Sequence, residues 1–167
     1  MKILEIKILR GPNYWSVRRN KLIQMKLDLE EMEQRPTNKI DGFRERLEKM
    51  FPSMYSHRCS VGKPGGFFER VEEGTWMGHV IEHIALEMQT LAGMDTGFGR
   101  TRTPEGEKEG VYYVVFSYME EDAGVYAAKA AVRVEEALTN GTDYNLPEDI
   151  QQLREIREDT RLGPSTG

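Results

Sequence analysis

The segment VYYVVFSYM, residues 111–119, constrains the fold most, because almost all of its side chains are apolar or aromatic. A strand with one face in water alternates apolar and polar side chains, whereas a strand covered on both faces has no need to alternate. The segment therefore predicts a central strand that is buried on both faces. Such a strand needs neighbouring strands and further elements packed over the sheet.

Two other segments, 2–9 and 23–29, carry apolar residues at every second position, which is typical of strands. Helical patterns lie between and after them, at residues 42–51, 75–93, 121–138 and 147–159. For the second of these helices, Thr75 is the predicted N-cap and Gly93 the residue just past the end. Glycine-rich stretches at 59–68 and 93–110 predict loops. Strands interspersed with helices predict a mixed α/β or α+β domain, in which a sheet of several strands packs with helices.

Length and charge exclude several classes of function. A chain of 167 residues is most simply one domain with a real core. Its 28 acidic and 23 basic residues give a net charge of -5, which argues against a nucleic-acid partner. No apolar run approaches the ~18 residues of a membrane span, so no membrane is expected. A single cysteine excludes an internal disulfide framework and suits the reducing cytoplasm.

The helix predicted at 75–92 has two distinct faces. At 100° per residue, one stripe is apolar and predicts the core side; it comprises Met77, Val80, Ile81, Ile84, Met88 and Leu91. His79 and His83 lie one turn apart on the other side, with Glu82 beside them. Leu86 sits among the histidines, so this second face is not simply solvated. We therefore expect it to line a cleft.

The order H-x-x-E-H in residues 79–83 is the inverzincin motif. Imidazoles at positions i and i+4 can bind one Zn²⁺ ion, and the glutamate stays off the metal as a general base for hydrolysis. His79 and His83 are therefore predicted metal ligands, and Glu82 the predicted catalytic residue. The alternative is a pair of incidental histidines on a half-exposed face, with Glu82 solvated.

The motif itself supplies no third ligand. Cys59, the only thiol, precedes a glycine-rich segment that could fold back over the helix, and it would complete a three-ligand site with an open water position. Adding His57 would close the tetrahedron and make the site structural. Glu87, one turn beyond His83, is the carboxylate alternative, either as a ligand or as a partner of one. The non-functional alternatives are that Cys59 is a small buried residue and that His57 is a surface residue. For His57 we favour this alternative.

Arginines near the motif are candidates for substrate binding. Arg100 and Arg102 follow the metal helix and could hold a substrate carboxylate, although solvated loop arginines are the alternative. Around GPNYWSVRR, Arg10, Arg18 and Arg19 are read as surface charge. The segment VGKPGG is no phosphate loop, because a histidine stands where that motif requires glycine, so no ATP site is expected here.

Four stretches that together span nearly the whole chain resemble the N-terminal domain of cyanophycin synthetases: ILRGPNYWSVRR, GTWMGHVIEHIALEMQTLAGM, GFGRTR and RLGPST. The resemblance implies a domain that binds cyanophycin, a poly-aspartate whose side chains each carry an arginine. It also implies a metal-dependent hydrolytic site that cuts the polymer internally and supplies primers for elongation. His79 and His83 are then the ligands and Glu82 the base.

The same resemblance implies a setting for the domain. Residues 1–160 would be the single N-terminal domain of a larger multidomain ligase, and 161–167 a linker or the end of a fragment. An ATP-grasp domain and a Mur-ligase-like domain would follow, in a homo-oligomer. In the cleft, Arg100 and Arg102 would hold carboxylates of the polymer, and Glu69 or Glu73 would receive its guanidinium groups. The alternative function is a non-catalytic module that tethers the polymer or supports assembly, with structural or incidental histidines.

Overall fold

The structure is a computed structural model that describes residues 1–18 and 21–162. Within these residues the strands are β1 (Lys2–Arg10), β2 (Lys21–Asp28), β3 (Gly99–Arg102) and β4 (Val111–Ser117). The α-helices are α1 (Phe43–Met50), α2 (Gly66–Glu73), α3 (Met77–Leu91), α4 (Glu121–Asn140) and α5 (Leu146–Leu162). Short 3-10 helices lie at Glu30–Gln34, Thr37–Lys39, Pro52–Ser56 and Cys59–Val61. The predicted α+β class is confirmed.

The sheet has the order β1-β2-β4-β3, and all three pairings are antiparallel. The predicted central strand is therefore confirmed as β4, which lies between β2 and β3. Its register pairs Met25 with Val114, and both belong to the main core together with residues of α3 and α4. On the opposite face Val115 is also fully buried, but in a smaller cluster with Trp15 and Leu22. A loop residue, Trp15, belongs to the cluster on this second face.

Two segments predicted as loops contain regular structure, and these predictions were wrong. Within 59–68, α2 already begins at Gly66, because Gly65 adopts φ +80° and turns the chain into the helix. Phe67 and Phe68 are therefore helical and buried. Within 93–110, β3 pairs with the free edge of β4. A strand of four residues is too short to show a clear alternation of apolar and polar side chains. Its extended conformation depends on pairing with β4.

Helix α3 begins and ends close to the predicted positions. Trp76, not Thr75, is its N-cap, because Thr75 is held elsewhere: its N–H donates to Thr37 Oγ1 at 2.9 Å. Gly93 follows the C-cap with φ +83°, as predicted for the residue that ends the helix. The helix packs against β3, β4, α4 and α5, and almost all of its residues are buried.

Arg10, near the start of the chain, was predicted to be a surface charge. Arg10 is exposed and its Nε donates to Glu121 at 2.9 Å, in keeping with surface charge. Arg19 and residues 163–167 lie outside the described part of the chain. Among the described residues, no helix is long and apolar enough to cross a membrane.

Candidate metal centre

A cleft of about 860 Å³ runs along the second face of α3, where the sequence predicted one. Helix α3 forms its floor, the segment around Cys59 forms one wall, and β3 forms the other. His79, Glu82, His83 and Cys59 all line it. The predicted metal ligands and the predicted base therefore face one open space.

Three potential ligand atoms converge in this cleft. Sγ of Cys59 lies 3.2 Å from Nε2 of His79, and that Nε2 lies 3.2 Å from Nε2 of His83. All three atoms lie within 4.8 Å of one another. Cys59 adopts φ +50°, a backbone conformation that non-glycine residues rarely adopt and that is common near functional sites. The loop thus brings the only thiol to the two histidines of α3.

The remaining ring nitrogens have partners of their own. Nδ1 of His79 lies 2.9 Å from Thr75 Oγ1, and Nδ1 of His83 lies 2.8 Å from His57 Nδ1. Burial, together with the charge of Arg70, lowers the pKa of His79 to about 4. Burial and the two neighbouring histidines lower the pKa of His83 well below its ordinary value. Both rings are therefore neutral at neutral pH. A thiolate with two neutral imidazoles is a donor set that Zn²⁺ prefers, so the residues present fit this ion.

Glu82 lies in the same cleft and is only 6% exposed. Its Oε2 accepts a hydrogen bond of 2.6 Å from Thr101 Oγ1. Burial raises the pKa of Glu82 to about 7, although the bond from Thr101 opposes the rise. Gly99 leaves room for the carboxyl group: a Cβ at Gly99 would lie 2.7 Å from Cδ and Cγ of Glu82. Strand β3 thus both bonds and makes space for the predicted base.

Sequence reasoning missed Gly99 and Thr101, because residues 93–110 were predicted to be a loop. Once β3 is known to be a strand, its alternation turns these two residues to one face of the sheet, towards α3. The signal was present in GRTR, but four residues without a predicted partner do not establish a register.

The two other candidate ligands, His57 and Glu87, also line the cleft, next to His83. Nε2 of His57 is 2.7 Å from Oε2 of Glu87, and the hydroxyl of Ser53 donates to Oε1 of the same carboxylate. Burial alone would raise the pKa of Glu87, but the bonds from His57 and Ser53 prevail and hold it below its ordinary value. His57 is only 17% exposed, so its prediction as a surface residue was wrong. It is half-buried because the segment before α2 folds over α3.

The arginines predicted to bind substrate stand on the rim of the cleft. Arg100 pairs with Val115 and Arg102 with Tyr113, so both alternate with Gly99 and Thr101 and start from the opposite face of β3. Both nevertheless line the cleft at its edge.

A third arginine, which sequence reasoning did not single out, reaches the cleft from the other wall. Arg58 precedes Cys59 and lines the same space. The acidic candidates lie elsewhere, on α2, where Glu69 pairs with Lys63 at 2.8 Å and Glu73 with Arg70 at 3.3 Å. Neither carboxylate lines the cleft. The charged rim is therefore basic.

Comparison with known proteins identifies the family. A model of the cyanophycin synthase-like N-terminal domain matches residues 24–140. Proteins named cyanophycin synthetase from Synechocystis sp., Geminocystis herdmanii and Nostoc sp. are 53%, 54% and 53% identical to this chain over 99% of its length. The match covers 19%, 19% and 18% of these relatives, so the chain spans about a fifth of their length. The family resemblance of the four sequence stretches is thus confirmed, and the chain belongs to the cyanophycin synthase-like N-terminal domain family.

Proposed function

We propose that this domain is a zinc-dependent hydrolase that cuts cyanophycin within the chain. Cys59, His79 and His83 hold the ion, and Glu82 is the general base. The observation that carries the proposal is the convergence of one thiol and two Nε2 atoms beside a buried carboxyl group in a single open cleft. Structural zinc sites use four protein ligands, whereas catalytic sites use three and keep a position for water.

A zinc ion bound by these three residues supplies Lewis acidity, which lowers the pKa of a bound water to about 7 and polarises the substrate carbonyl. The protein supplies the movement of the proton. Glu82 accepts a proton from the attacking water as its oxygen bonds to the carbonyl carbon. It then passes that proton to the leaving nitrogen as the C–N bond breaks, so the reaction consumes one water and restores the carboxylate.

The environment of Glu82 suits this task. A base is most effective when its pKa lies near the working pH, and burial brings the pKa of Glu82 to about 7. The bond from Thr101 fixes one carboxylate oxygen and leaves the other free for the proton.

The substrate is proposed from the family and from the rim of the cleft. Each arginine attached to a side chain of cyanophycin keeps its own carboxylate free. Arg58, Arg100 and Arg102 stand around the cleft and offer guanidinium groups to such carboxylates. Because the cleft is open to solvent, it can admit an internal stretch of polymer, and the products are then shorter chains that serve as primers for elongation.

The larger protein is also a proposal. Relatives are about five times longer than this chain. We place residues 1–160 as one N-terminal domain ahead of the ATP-grasp and Mur-ligase-like domains of a homo-oligomeric ligase. We place the protein in the cytoplasm, because a reducing compartment keeps Cys59 available as a ligand.

Substituting Glu82→Gln tests the proposed function. The variant should keep its zinc and its fold but cut cyanophycin about 10²–10⁴-fold more slowly, because only the proton acceptor is removed. Polymer length is followed on denaturing gels, and bound zinc is measured on the same samples. The control is Glu155→Gln on the exposed side of α5, which should cut like the parent. Parent protein that binds the polymer and never shortens it would instead indicate the tethering function.

A further inference from the structure

Next to the proposed metal site, four side chains form a continuous hydrogen-bonded line that begins at His83 and ends at Ser53. His83 contacts His57 through their Nδ1 atoms at 2.8 Å, and His57 contacts Glu87 through Nε2 at 2.7 Å. Ser53 donates to the other oxygen of Glu87. We call His57, Glu87 and Ser53 the support chain of His83. Metal ligation by Cys59, His79 and His83 uses none of these three residues.

With neutral imidazole rings and an ionised Glu87, the hydrogen-bonding groups of the support chain allow one consistent arrangement of protons. An ionised carboxylate only accepts, so Nε2 of His57 carries a proton and donates it to Glu87. In a neutral ring Nδ1 of His57 is then an acceptor, and it receives the proton on Nδ1 of His83. Nε2 of His83 is left with a free lone pair. This is the atom that lies 3.2 Å from Nε2 of His79.

Packing also fixes the orientation of the His83 ring. Phe67 stacks on His83 with ring centroids 3.9 Å apart and planes 19° apart. Stacking restricts the tilt of the imidazole, but it does not decide which nitrogen carries the proton. The bond from His57 decides that. Glu87 is 2% exposed, so water cannot readily replace it as the partner of His57.

We propose that His57 and Glu87 are positioning residues that hold His83 in the tautomer and orientation that present Nε2 to the metal. The proposal rests on the proposed metal site and deepens it. Partners of metal-bound histidines typically contribute about 10–100-fold to metal affinity. Removing the acceptor on His57 should therefore weaken metal binding by about that factor, without removing any ligand.

Two substitutions at position 57 separate the bond from the bulk. His57→Leu fills similar space but offers no acceptor to His83. His57→Asn keeps an acceptor, because its Oδ1 stands as many bonds from the backbone as Nδ1 of histidine. At the far end of the chain, Glu87→Met keeps an apolar fit in a buried position but removes the acceptor for His57. This third variant decides the matter if His57→Leu does not fold.

The probe is Co²⁺, which replaces Zn²⁺ in tetrahedral sites and absorbs visible light. Bands from the metal report its geometry, and a charge-transfer band from thiolate to Co²⁺ reports ligation by Cys59. Affinity is measured by titration against a competing chelator, and folding of each metal-free variant is checked by circular dichroism. Glu155→Gln is the control, since it changes a carboxylate on the exposed face of α5.

We expect His57→Leu and Glu87→Met to bind Co²⁺ about 10–100-fold more weakly, with altered metal bands, while His57→Asn stays close to the parent. Equal affinity and spectra in His57→Leu, Glu87→Met and the parent would overturn the support chain but leave the metal site standing. Parent protein without a thiolate band would overturn the site and the support chain together. Co²⁺ binding could be tight and depend on His57 in a protein that never cuts cyanophycin. That result would support the positioning role of the support chain and contradict the proposed hydrolase activity.

Discussion

Replacing Gly99 with alanine tests whether β3 holds Glu82 in the position that hydrolysis needs. The added Cβ would lie 2.7 Å from Cδ and Cγ of Glu82, whereas ordinary van der Waals contacts lie at 3.4–4 Å. Glu82 is buried and its backbone is fixed within α3, so its carboxyl group must swing away by about 1 Å. It would then lose its bond from Thr101.

A displacement of about 1 Å at a reacting group costs about 100-fold in rate. Gly99→Ala should therefore reduce cleavage of cyanophycin by about that factor. The fold should tolerate the change, because the displaced group is the end of a flexible side chain. Losing one buried hydrogen bond costs about 1–3 kcal/mol of unfolding free energy.

The matched control is Gly97→Ala, two residues earlier, where an added Cβ meets no atom within 4 Å. Cleavage rates of both variants are measured alone and combined with Glu82→Gln. If Gly99 acts through Glu82, the combined variant should cut no more slowly than Glu82→Gln alone. Equal rates for Gly99→Ala and Gly97→Ala, or losses that multiply in the combined variant, would refute the reasoning.

Three further predictions concern the loop, the core and the rim. Gly66→Ala would overlap the carbonyl oxygen of Arg58 and should displace the loop of Cys59. It should cost about 1–3 kcal/mol in unfolding free energy and weaken the thiolate band of bound Co²⁺; an unchanged band would contradict it. Burial raises the pKa of Glu135 to about 7 from its ordinary 4.5, so its stabilising contribution is complete below pH about 4.5 and lost as the pH rises to about 7. In denaturant titrations, the unfolding free energy of Glu135→Gln should rise by about 3 kcal/mol relative to that of the parent between about pH 4.5 and about pH 8. A difference between the two proteins that stays constant with pH would contradict this. Arg100→Ala should raise KM for cyanophycin about 2–5-fold with kcat unchanged, since an exposed charge contributes up to about 1 kcal/mol; identical KM would remove Arg100 from substrate binding.

The sheet and the long helices could be predicted because their signals are local. Residues 111–119 are almost all apolar or aromatic, and β4 is indeed one of the two strands with neighbours on both sides. Strand β3 was not predicted, because its extended conformation depends on pairing with β4, which is distant in sequence. Helix α2 was not predicted, because the glycines in 59–68 predicted a loop, whereas Gly65 makes the turn into the helix.

For the site, spacing alone placed His79, Glu82 and His83 on one face of one helix. The meeting of that face with Cys59 depends on how the loop before α2 packs over α3, which no local pattern encodes. The same packing links His57 to Glu87 and leaves His57 only half-exposed, although His57 was predicted to be a surface residue. Contacts between distant segments are therefore what the structure adds to the motif.

Zinc content measured together with cleavage tests the central claim most directly. The domain is purified, its bound zinc is counted per chain, and cutting of cyanophycin is followed before chelation, after chelation and after zinc is returned. The same series is run on His79→Ala, which lacks one ligand. We predict about one zinc per chain in the parent, loss of cutting with the metal, recovery when zinc is restored, and neither zinc nor cutting in the variant. Cutting by metal-free parent protein, or by His79→Ala at the parent rate, would contradict the account.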